Sequence, residues 1–207
     1  RPYESGFVIA KGMDVIDPIK APFPMAQLKR NVFKDSRTKV EGLRANATKR
    51  NTTLVQRAID RTADDGGGMV VVPAGDWSVA RITLKSGVNL HLEEGCNLHF
   101  SGMIKDYRPA VFTRDEGTEV YSTGAFIYAR GERNIALTGK GHIVGPDTGC
   151  ELYQTNVPGQ ANAEAAVKKD EPVESRVFDG KKENRGGAVL LPKSFCAIDC
   201  SNVLLEG

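Results

Sequence analysis

The chain has little of what marks a membrane protein or a nucleic-acid-binding protein. No apolar run in the sequence approaches the roughly 18 residues that are needed to span a bilayer. The 28 Lys and Arg residues nearly balance the 26 Asp and Glu residues, which leaves a formal net charge of +2. Because no strong excess of basic charge is present, we expect neither nucleic acid nor a membrane as a partner.

Histidine and cysteine are also scarce, with three and four residues respectively. Structural zinc needs tight clusters of these ligands, and the sequence contains none. Cys196 and Cys200 lie in one extended run, roughly 13 Å apart, which is too far for a disulfide. These two cysteines and Cys96 alternate with apolar residues, so we expect buried thiols.

What the sequence does contain suits many short strands joined by tight corners. It has 22 glycines and 10 prolines without the strict period of collagen. The hydrophobic content of 40% is enough for a sizeable core in 207 residues. We expect one domain with an appendage.

A short phrase that begins with Asn and ends with Gly recurs three times. Its copies cover residues 89–95, 134–139 and 202–207, and they begin 45 and 68 residues apart. These spacings are close to two and three multiples of about 22 to 23 residues, within the repeat lengths of solenoids. The repeat predicts a β-solenoid in which the Asn of each copy occupies an equivalent corner of a stacked coil.

Strict alternation of apolar and polar residues accompanies the repeats and predicts strands with one buried face. We expect these strands to pair in parallel in stacked coils. The predicted interior consists of Val88, Leu90, Leu92, Ile135, Leu137, Val203 and Leu205.

One amphipathic helix precedes the strands. Thr53 and Gln56 fit a capping box, apolar residues recur at helical spacing over residues 54–65, and glycines at 66–68 end the helix. We expect this helix to cover the open end of the first coil. Residues 1–50 form a lead-in segment and residues 51–207 form the solenoid. The lead-in is rich in basic residues, which suits either a solvated segment or a flank that attracts an acidic polymer.

Two polar segments, residues 103–123 and 145–185, interrupt the repeat. Loops of this length in a compact protein are commonly functional, and on a solenoid they collect at one side and build the rim of a groove. Residues 161–169 within the second segment suit a short helix.

The phrases at residues 66–75, 84–95, 134–141 and 200–207 resemble the amino-terminal half of glycoside hydrolase family 28, the polygalacturonase-like enzymes. The resemblance implies an all-β fold, a right-handed parallel β-helix of the pectin-lyase-like kind with an amino-terminal capping helix. It also implies a secreted or periplasmic enzyme that hydrolyses galacturonic-acid polysaccharide with inversion. The expected partner is an acidic plant polysaccharide (pectin, oligogalacturonides). No cofactor and no metal are expected.

The resemblance carries no catalytic residue onto this chain, because the family's catalytic motifs are expected downstream of Gly207. It singles out Arg114 and Glu116, which belong to a Thr-Arg-x-Glu-Gly phrase that recurs in bacterial members. An Arg at this position suits a bidentate clamp on a uronate carboxylate or a structural salt bridge in the loop. Tyr121 is the third candidate for substrate binding, through stacking on a sugar ring.

Two alternatives accompany the hydrolase interpretation. A polysaccharide lyase of the same fold would need a calcium-binding carboxylate cluster and a proton-abstracting base, and the sequence groups no acids in that way. A non-catalytic β-helix would serve as an adhesin or carbohydrate-binding module. The long polar insertions favour an enzyme with a cleft over a smooth rod.

Overall fold

The computed structural model describes residues 31–207, apart from the side chains of residues 156–158; the first 30 residues of the predicted lead-in lie outside the described part. Two long helices are α1, Thr48–Asp64, and α2, Glu151–Lys168. Short helical turns lie at Ile104–Tyr107, Val173–Ser175 and Arg185–Gly187. The strands of the described residues are β1 Arg37–Lys39, β2 Gly68–Val72, β3 Gly75–Val79, β4 Ile82–Thr83, β5 Val88–Leu92, β6 Cys96–Phe100, β7 Val111–Asp115, β8 Thr118–Ser122, β9 Ala125–Arg130, β10 Arg133–Gly139, β11 His142–Val144, β12 Lys193–Ile198 and β13 Ser201–Glu206.

Most strands belong to three parallel sheets that the chain visits in a fixed order. Sheet 1 has the order β1-β2-β5-β10-β13, sheet 2 contains β3, β6 and β11, and sheet 3 contains β4, β9 and β12. Every neighbouring pair in these sheets is parallel, and among the strands of residues 31–207 only β7 and β8 pair antiparallel. Each pass through sheets 1, 2 and 3 is one coil stacked on the previous coil. The predicted parallel pairing is confirmed, although two helices of 17 and 18 residues accompany the strands.

The predicted number of coils between the repeats is wrong. Leu90 pairs with Leu137, and Ile135 pairs with Val203, so consecutive copies lie in adjacent coils. The spacings of 45 and 68 residues each correspond to one coil that is lengthened by an insertion. A coil without an insertion is shorter than the roughly 22 to 23 residues that the repeat spacing suggests, since Met69 pairs with Asn89 in the next coil.

The prediction that the first Asn of each repeated phrase occupies an equivalent corner is confirmed for two of the three copies. Asn134 and Asn202 stack at one corner with left-handed backbone, at φ values of 53° and 57°. In the preceding coil, Gly87 fills this corner with φ 77°, and its N–H donates to the Asn134 carbonyl at 3.0 Å. Asn89 instead pairs with Ala136, so its predicted place at the corner is wrong. The corner requires tolerance of positive φ, which glycine provides as well as asparagine.

The solenoid interior contains the predicted residues of β5 and Ile135, all of which are buried. Leu137 is half-buried. Val203 and Leu205 lie opposite Ile135 and Leu137 on the predicted inner face, but their predicted burial is wrong, since they are 39% and 55% exposed. Both lie on β13, which is the last strand of sheet 1, and within the described residues no further strand packs beyond it.

Helix α1 packs along the first coils, where it contacts β1 to β5. Val55 and Ile59 are fully buried in the same core as the strands, and Leu54 and Ala58 pack against that core while half-buried. The helix begins at Thr48, so the predicted capping box at Thr53 is wrong.

The predicted capping residues have other partners within the helix and beyond it. The hydroxyl of Thr53 donates to the Lys49 carbonyl, and the Gln56 amide exchanges two hydrogen bonds of 2.9 Å with the backbone of Thr83. The first turn of α1 is polar, so apolar periodicity alone does not reveal it.

Ordered structure also precedes the boundary expected at residue 50. Strand β1 pairs with β2 in sheet 1, with Thr38 opposite Val70, and so adds a strand of the nominal lead-in to the stack. The side chain of Lys39 in this strand reaches Glu93, with 3.9 Å between Nζ and Oε2.

All four cysteines are free thiols. Cys96 is fully buried, as expected, whereas Cys150, Cys196 and Cys200 are half-buried. Burial raises the pKa of the Cys96 thiol to about 12, and the nearby carboxylates of Glu93 and Asp76 act in the same direction.

Candidate functional site

Both long insertions lie at the same step of the coil, between sheet 2 and sheet 3. The first occupies residues 101–124 between β6 and β9, and the second occupies residues 145–192 between β11 and β12. Because β9 and β12 are neighbours in sheet 3, the two insertions are adjacent in space. The repeat architecture therefore gathers the irregular part of the chain on one side of the solenoid.

The hairpin of β7 and β8 lies against the outer side of sheet 3. The hydroxyl of Tyr128 on β9 donates to the Phe112 carbonyl at 2.7 Å, and the Arg130 guanidinium lies 4.2 Å from the centre of the Phe112 ring. Near the hairpin turn, Asp115 pairs with Lys193 at the start of β12, at 3.2 Å. The hairpin therefore extends from the coil of β9 towards the coil of β12.

The second insertion adds its own backbone to the free edge of β8. The N–H of Tyr121 donates to the Arg176 carbonyl at 2.9 Å, and the N–H of Phe178 donates to the Tyr121 carbonyl at 2.7 Å. Tyr121 and Val177 consequently lie opposite each other in a parallel bridge. The buried hydroxyl of Ser122 reinforces this edge, since it donates to the Phe178 carbonyl at 2.8 Å.

This small sheet has one inward and one outward face. The inward face includes Val120, which is buried in a second core with Phe178 and with Ala163 of α2. We call the outward side the insertion face. It carries Phe112, Arg114, Glu119, Tyr121 and Val177, as strand alternation requires.

The sequence-predicted site residues are partly brought together here. Arg114 and Tyr121 share the insertion face, whereas Glu116 lies exposed in the hairpin turn with φ 46°. The Arg114 guanidinium donates to Oε1 of Glu119 at 2.8 Å, so it takes part in the salt bridge that the sequence left as an alternative. An exposed pair of this kind is worth at most about 1 kcal/mol, so an anionic ligand can compete for the guanidinium. Tyr121 is half-buried and meets the Phe112 ring edge-on, with 5.8 Å between centroids.

A cleft of about 540 Å³ opens beside Tyr121 where the two insertions meet. The cleft is lined by Arg108, Pro109, Ala110, Tyr121, Glu174, Val177, Asp179 and Lys181. Its charged residues come from three separate segments with no common motif, which is why sequence reasoning identified only Tyr121 among them.

Asp179 anchors the charged wall of the cleft. It is buried, and its Oδ1 accepts hydrogen bonds of 3.0 Å from the Lys181 N–H and from Nδ2 of Asn184. Burial alone would raise the pKa of this carboxyl, but the hydrogen bonds from Asn184 and Lys181 outweigh burial and hold the pKa below its usual value. The group is therefore a carboxylate at neutral pH, and the Lys181 ammonium lies 3.8 Å from it.

Residues 31–207 contain neither a candidate metal-binding cluster nor a helix that could span a membrane. Among residues 31–207, no three His, Cys, Asp or Glu side chains come close enough to hold a metal ion. In the same part of the chain, no helix combines the length and the apolar character needed to cross a membrane.

Comparison with solved structures finds similarity to exopolygalacturonases. It is similar to an exopolygalacturonase from Thermotoga maritima, with 27% sequence identity and a TM-score of 0.74 over 86% of this chain and 42% of that one. The family 28 exopolygalacturonase of Yersinia enterocolitica has 23% identity and a TM-score of 0.54 over 83% of this chain and 34% of that one, which supports the fold alone. No family model and no curated protein matches the chain. The chain spans less than half of the length of either enzyme.

Proposed function

We propose that the chain is the amino-terminal part of a pectin-degrading glycoside hydrolase of the polygalacturonase-like family 28. The observation that carries this proposal is the likeness to the Thermotoga maritima exopolygalacturonase, which extends over 86% of the chain at 27% identity. The substrate is galacturonic-acid polysaccharide, cut by inverting hydrolysis. Such an enzyme meets its substrate outside the cytoplasm, as a secreted or periplasmic protein.

The fold supports a scaffolding role for this part of the enzyme. We infer a right-handed β-helix in which α1 caps the first coil. The burial of Val55 and Ile59 against the strands supports the cap, because the open end would otherwise expose apolar side chains.

The insertion face supports a role in holding the polysaccharide. Arg114 is proposed to clamp a uronate carboxylate and Tyr121 to stack on a sugar ring, with Glu116 at the hairpin turn accepting hydrogen bonds from sugar hydroxyls. The contact of Asp115 with Lys193 directs the hairpin turn towards the coil of β12.

Inverting hydrolysis needs two carboxyl groups about 6.5 to 9.5 Å apart, one to protonate the leaving oxygen and one to activate water. We propose that both groups lie in coils that follow Gly207.

The test is an activity assay on the protein that extends beyond Gly207. Polygalacturonate is supplied with and without a chelator, and both reducing ends and the ultraviolet absorbance of unsaturated products are followed. We expect reducing ends without unsaturated products in both conditions. Unsaturated products that vanish with chelator would establish a lyase, and polymer binding without cleavage would establish a carbohydrate-binding module.

The candidate residues are tested in the same assay. Arg114→Gln should raise KM about tenfold with a smaller effect on kcat, because a charge-assisted contact to the substrate is worth roughly 1.5 kcal/mol. Lys105→Gln removes an exposed charge from the same insertion and should leave both constants unchanged. An unchanged KM for Arg114→Gln would remove this residue from the binding site.

A further inference from the structure

We propose that the cleft between the two insertions is a separate binding subsite for a carboxylate-bearing sugar, with Arg108 and Lys181 as the residues that recognise the carboxylate. The sugar class rests on the proposed function, since galacturonate is the acidic sugar of that substrate. The subsite itself rests on the geometry of the cleft.

Arg108 has donors to offer a ligand because the fold uses only one edge of its guanidinium. Its Nε donates to the Asp179 carbonyl at 2.9 Å, which fixes the side chain on the cleft wall. Within residues 31–207, no protein group accepts a hydrogen bond from its Nη atoms, and the residue is exposed. A fixed guanidinium with free Nη atoms is the group best suited to a planar carboxylate.

Lys181 supplies a second positive charge on the same wall. Its ammonium lies 3.8 Å from Oδ2 of Asp179, and it is exposed at the cleft. Asp179 already accepts hydrogen bonds from the Lys181 N–H and from Asn184, so its charge is shared among several donors. At 3.8 Å the exposed ammonium is beyond hydrogen-bond distance of this carboxylate, so it can turn to an incoming anion without breaking a hydrogen bond.

The rest of the cleft suits the body of a sugar. Tyr121, Val177 and Pro109 provide apolar and aromatic surface for the C–H faces of a pyranose ring. The exposed carboxylate of Glu174 stands on the lining as an acceptor for sugar hydroxyls. A volume of about 540 Å³ accommodates one or two sugar units, within the range of small-molecule sites.

The cleft is distinct from the Arg114 clamp, although both adjoin Tyr121. Arg114 lies on the hairpin and pairs with Glu119, whereas Arg108 precedes β7 and is fixed by the second insertion through Asp179. A polysaccharide that spans both positions would be held at two carboxylates. The two insertions would then act together as one binding wall.

The experiment is a calorimetric titration of the 207-residue chain with trigalacturonate, with the uncharged galactose trisaccharide as the comparison ligand. We expect binding of trigalacturonate that weakens about tenfold in Arg108→Gln and also in Lys181→Gln, since each removes one charge-assisted contact. Lys182→Gln is the matched control, because it removes the adjacent exposed charge that does not line the cleft. Its affinity should equal that of the unsubstituted chain.

Folding is checked by the urea midpoint of each variant. Lys181 is exposed, and Lys181→Gln keeps the backbone hydrogen bond to Asp179 and removes only the 3.8 Å contact of the ammonium, so it gives a test even where Arg108→Gln is destabilised. Equal affinity for the charged and uncharged trisaccharides would overturn the proposal, and so would unchanged affinity in Lys181→Gln. If the longer protein hydrolyses polygalacturonate while either of these results is obtained, the cleft proposal fails and the proposed function stands. If trigalacturonate binds as expected and the longer protein does not cleave the polymer, the cleft stands and the proposed function fails.

Discussion

Asn51 in the first turn of α1 is a polar side chain that connects this helix both to the segment before it and to the first coil. It is fully buried, and its Oδ1 accepts the Arg44 N–H at 3.0 Å. Its Nδ2 donates to the carbonyls of Arg44 at 2.8 Å and Ser78 at 3.0 Å. The substitution Asn51→Leu keeps the approximate volume and removes all three hydrogen bonds.

The expected loss of stability depends on whether water can reach the former hydrogen-bond partners of Asn51. A typical hydrogen bond contributes about 1 kcal/mol net, and a buried group left without a partner costs about 1 to 3 kcal/mol. Arg44 is exposed, so water can reach its two backbone groups, whereas Ser78 is half-buried. We therefore expect Asn51→Leu to lower the free energy of unfolding by about 3 kcal/mol, a large part of the stability of an ordinary domain.

The assay is urea unfolding followed by the fluorescence of Trp77, the only tryptophan of the chain, which is half-buried on β3. The matched control is Thr53→Ala. If Thr53 capped the helix, its loss would cost about 1 kcal/mol, but inside the helix alanine is the better helix former. We expect Thr53→Ala to lie within about 0.5 kcal/mol of the unsubstituted chain. An equally small effect of Asn51→Leu would refute the reasoning.

Three further predictions address the core and two titrating groups. Leu90→Ala should cost about 3 kcal/mol in urea unfolding because the side chain is fully buried, whereas Leu205→Ala, at a position exposed in the 207-residue chain, should cost under about 0.5; equal losses would contradict this difference in burial. The raised pKa of Cys96 keeps this thiol protonated, so thiol reagents should not label it at pH 8 before unfolding. Its stabilising contribution should be complete below its ordinary pKa of 9.0 and lost as pH rises towards 12; a Cys96→Ala variant with the same alkaline profile would count against this. The hydrogen bond from His99, at 3.0 Å, and then that from Asn97 lower the pKa of Asp76, so the resulting stabilisation is present above the ordinary pKa and lost as pH falls through the lowered value. In an NMR titration, His99→Ala should raise the Asp76 pKa towards 3.8, and no movement would disprove the pairing.

The part of the fold that could be predicted from the sequence depends on local periodicity. Val88, Leu90 and Leu92 alternate with polar residues, and a period of two places them on one buried face wherever the strand lies. The parallel stacking followed from the repeated phrase, because similar units bury their apolar sides against each other.

The register could not be predicted, because the sequence does not show which residues belong to a coil and which to an insertion. The polar composition of residues 103–123 and 145–185 indicates interruptions of the repeat, but the spacing of the repeats alone does not separate the length of an insertion from the length of an additional coil. In the sequence, Asn89 matches the asparagines that begin the other two copies of the phrase. In the structure, Gly87 occupies the equivalent left-handed corner instead.

Part of the candidate binding site could be predicted from the sequence. Arg114 and Tyr121 fall on one face of a hairpin whose pairing is local, so their proximity follows from strand alternation. Arg108 and Lys181 come together through long-range contacts between the two insertions, such as the bridge between Tyr121 and Val177 and the hydrogen bond from Arg108 to the Asp179 carbonyl, and these contacts have no sequence signature. Helix α2 was anticipated only at residues 161–169, because its apolar residues are not arranged in one clear stripe; the helix extends from Glu151 to Lys168.

The measurement that tests the central claim most directly is proton NMR of the first products that the protein extending beyond Gly207 releases from polygalacturonate. Inverting hydrolysis of an α-linkage gives new reducing ends as the β-anomer, which equilibrate later to the mixture. We predict that the β-anomeric signal appears first and that no signals of an unsaturated sugar accompany it. Initial formation of the α-anomer, or of an unsaturated product, would contradict the assignment of this chain to an inverting polygalacturonan hydrolase.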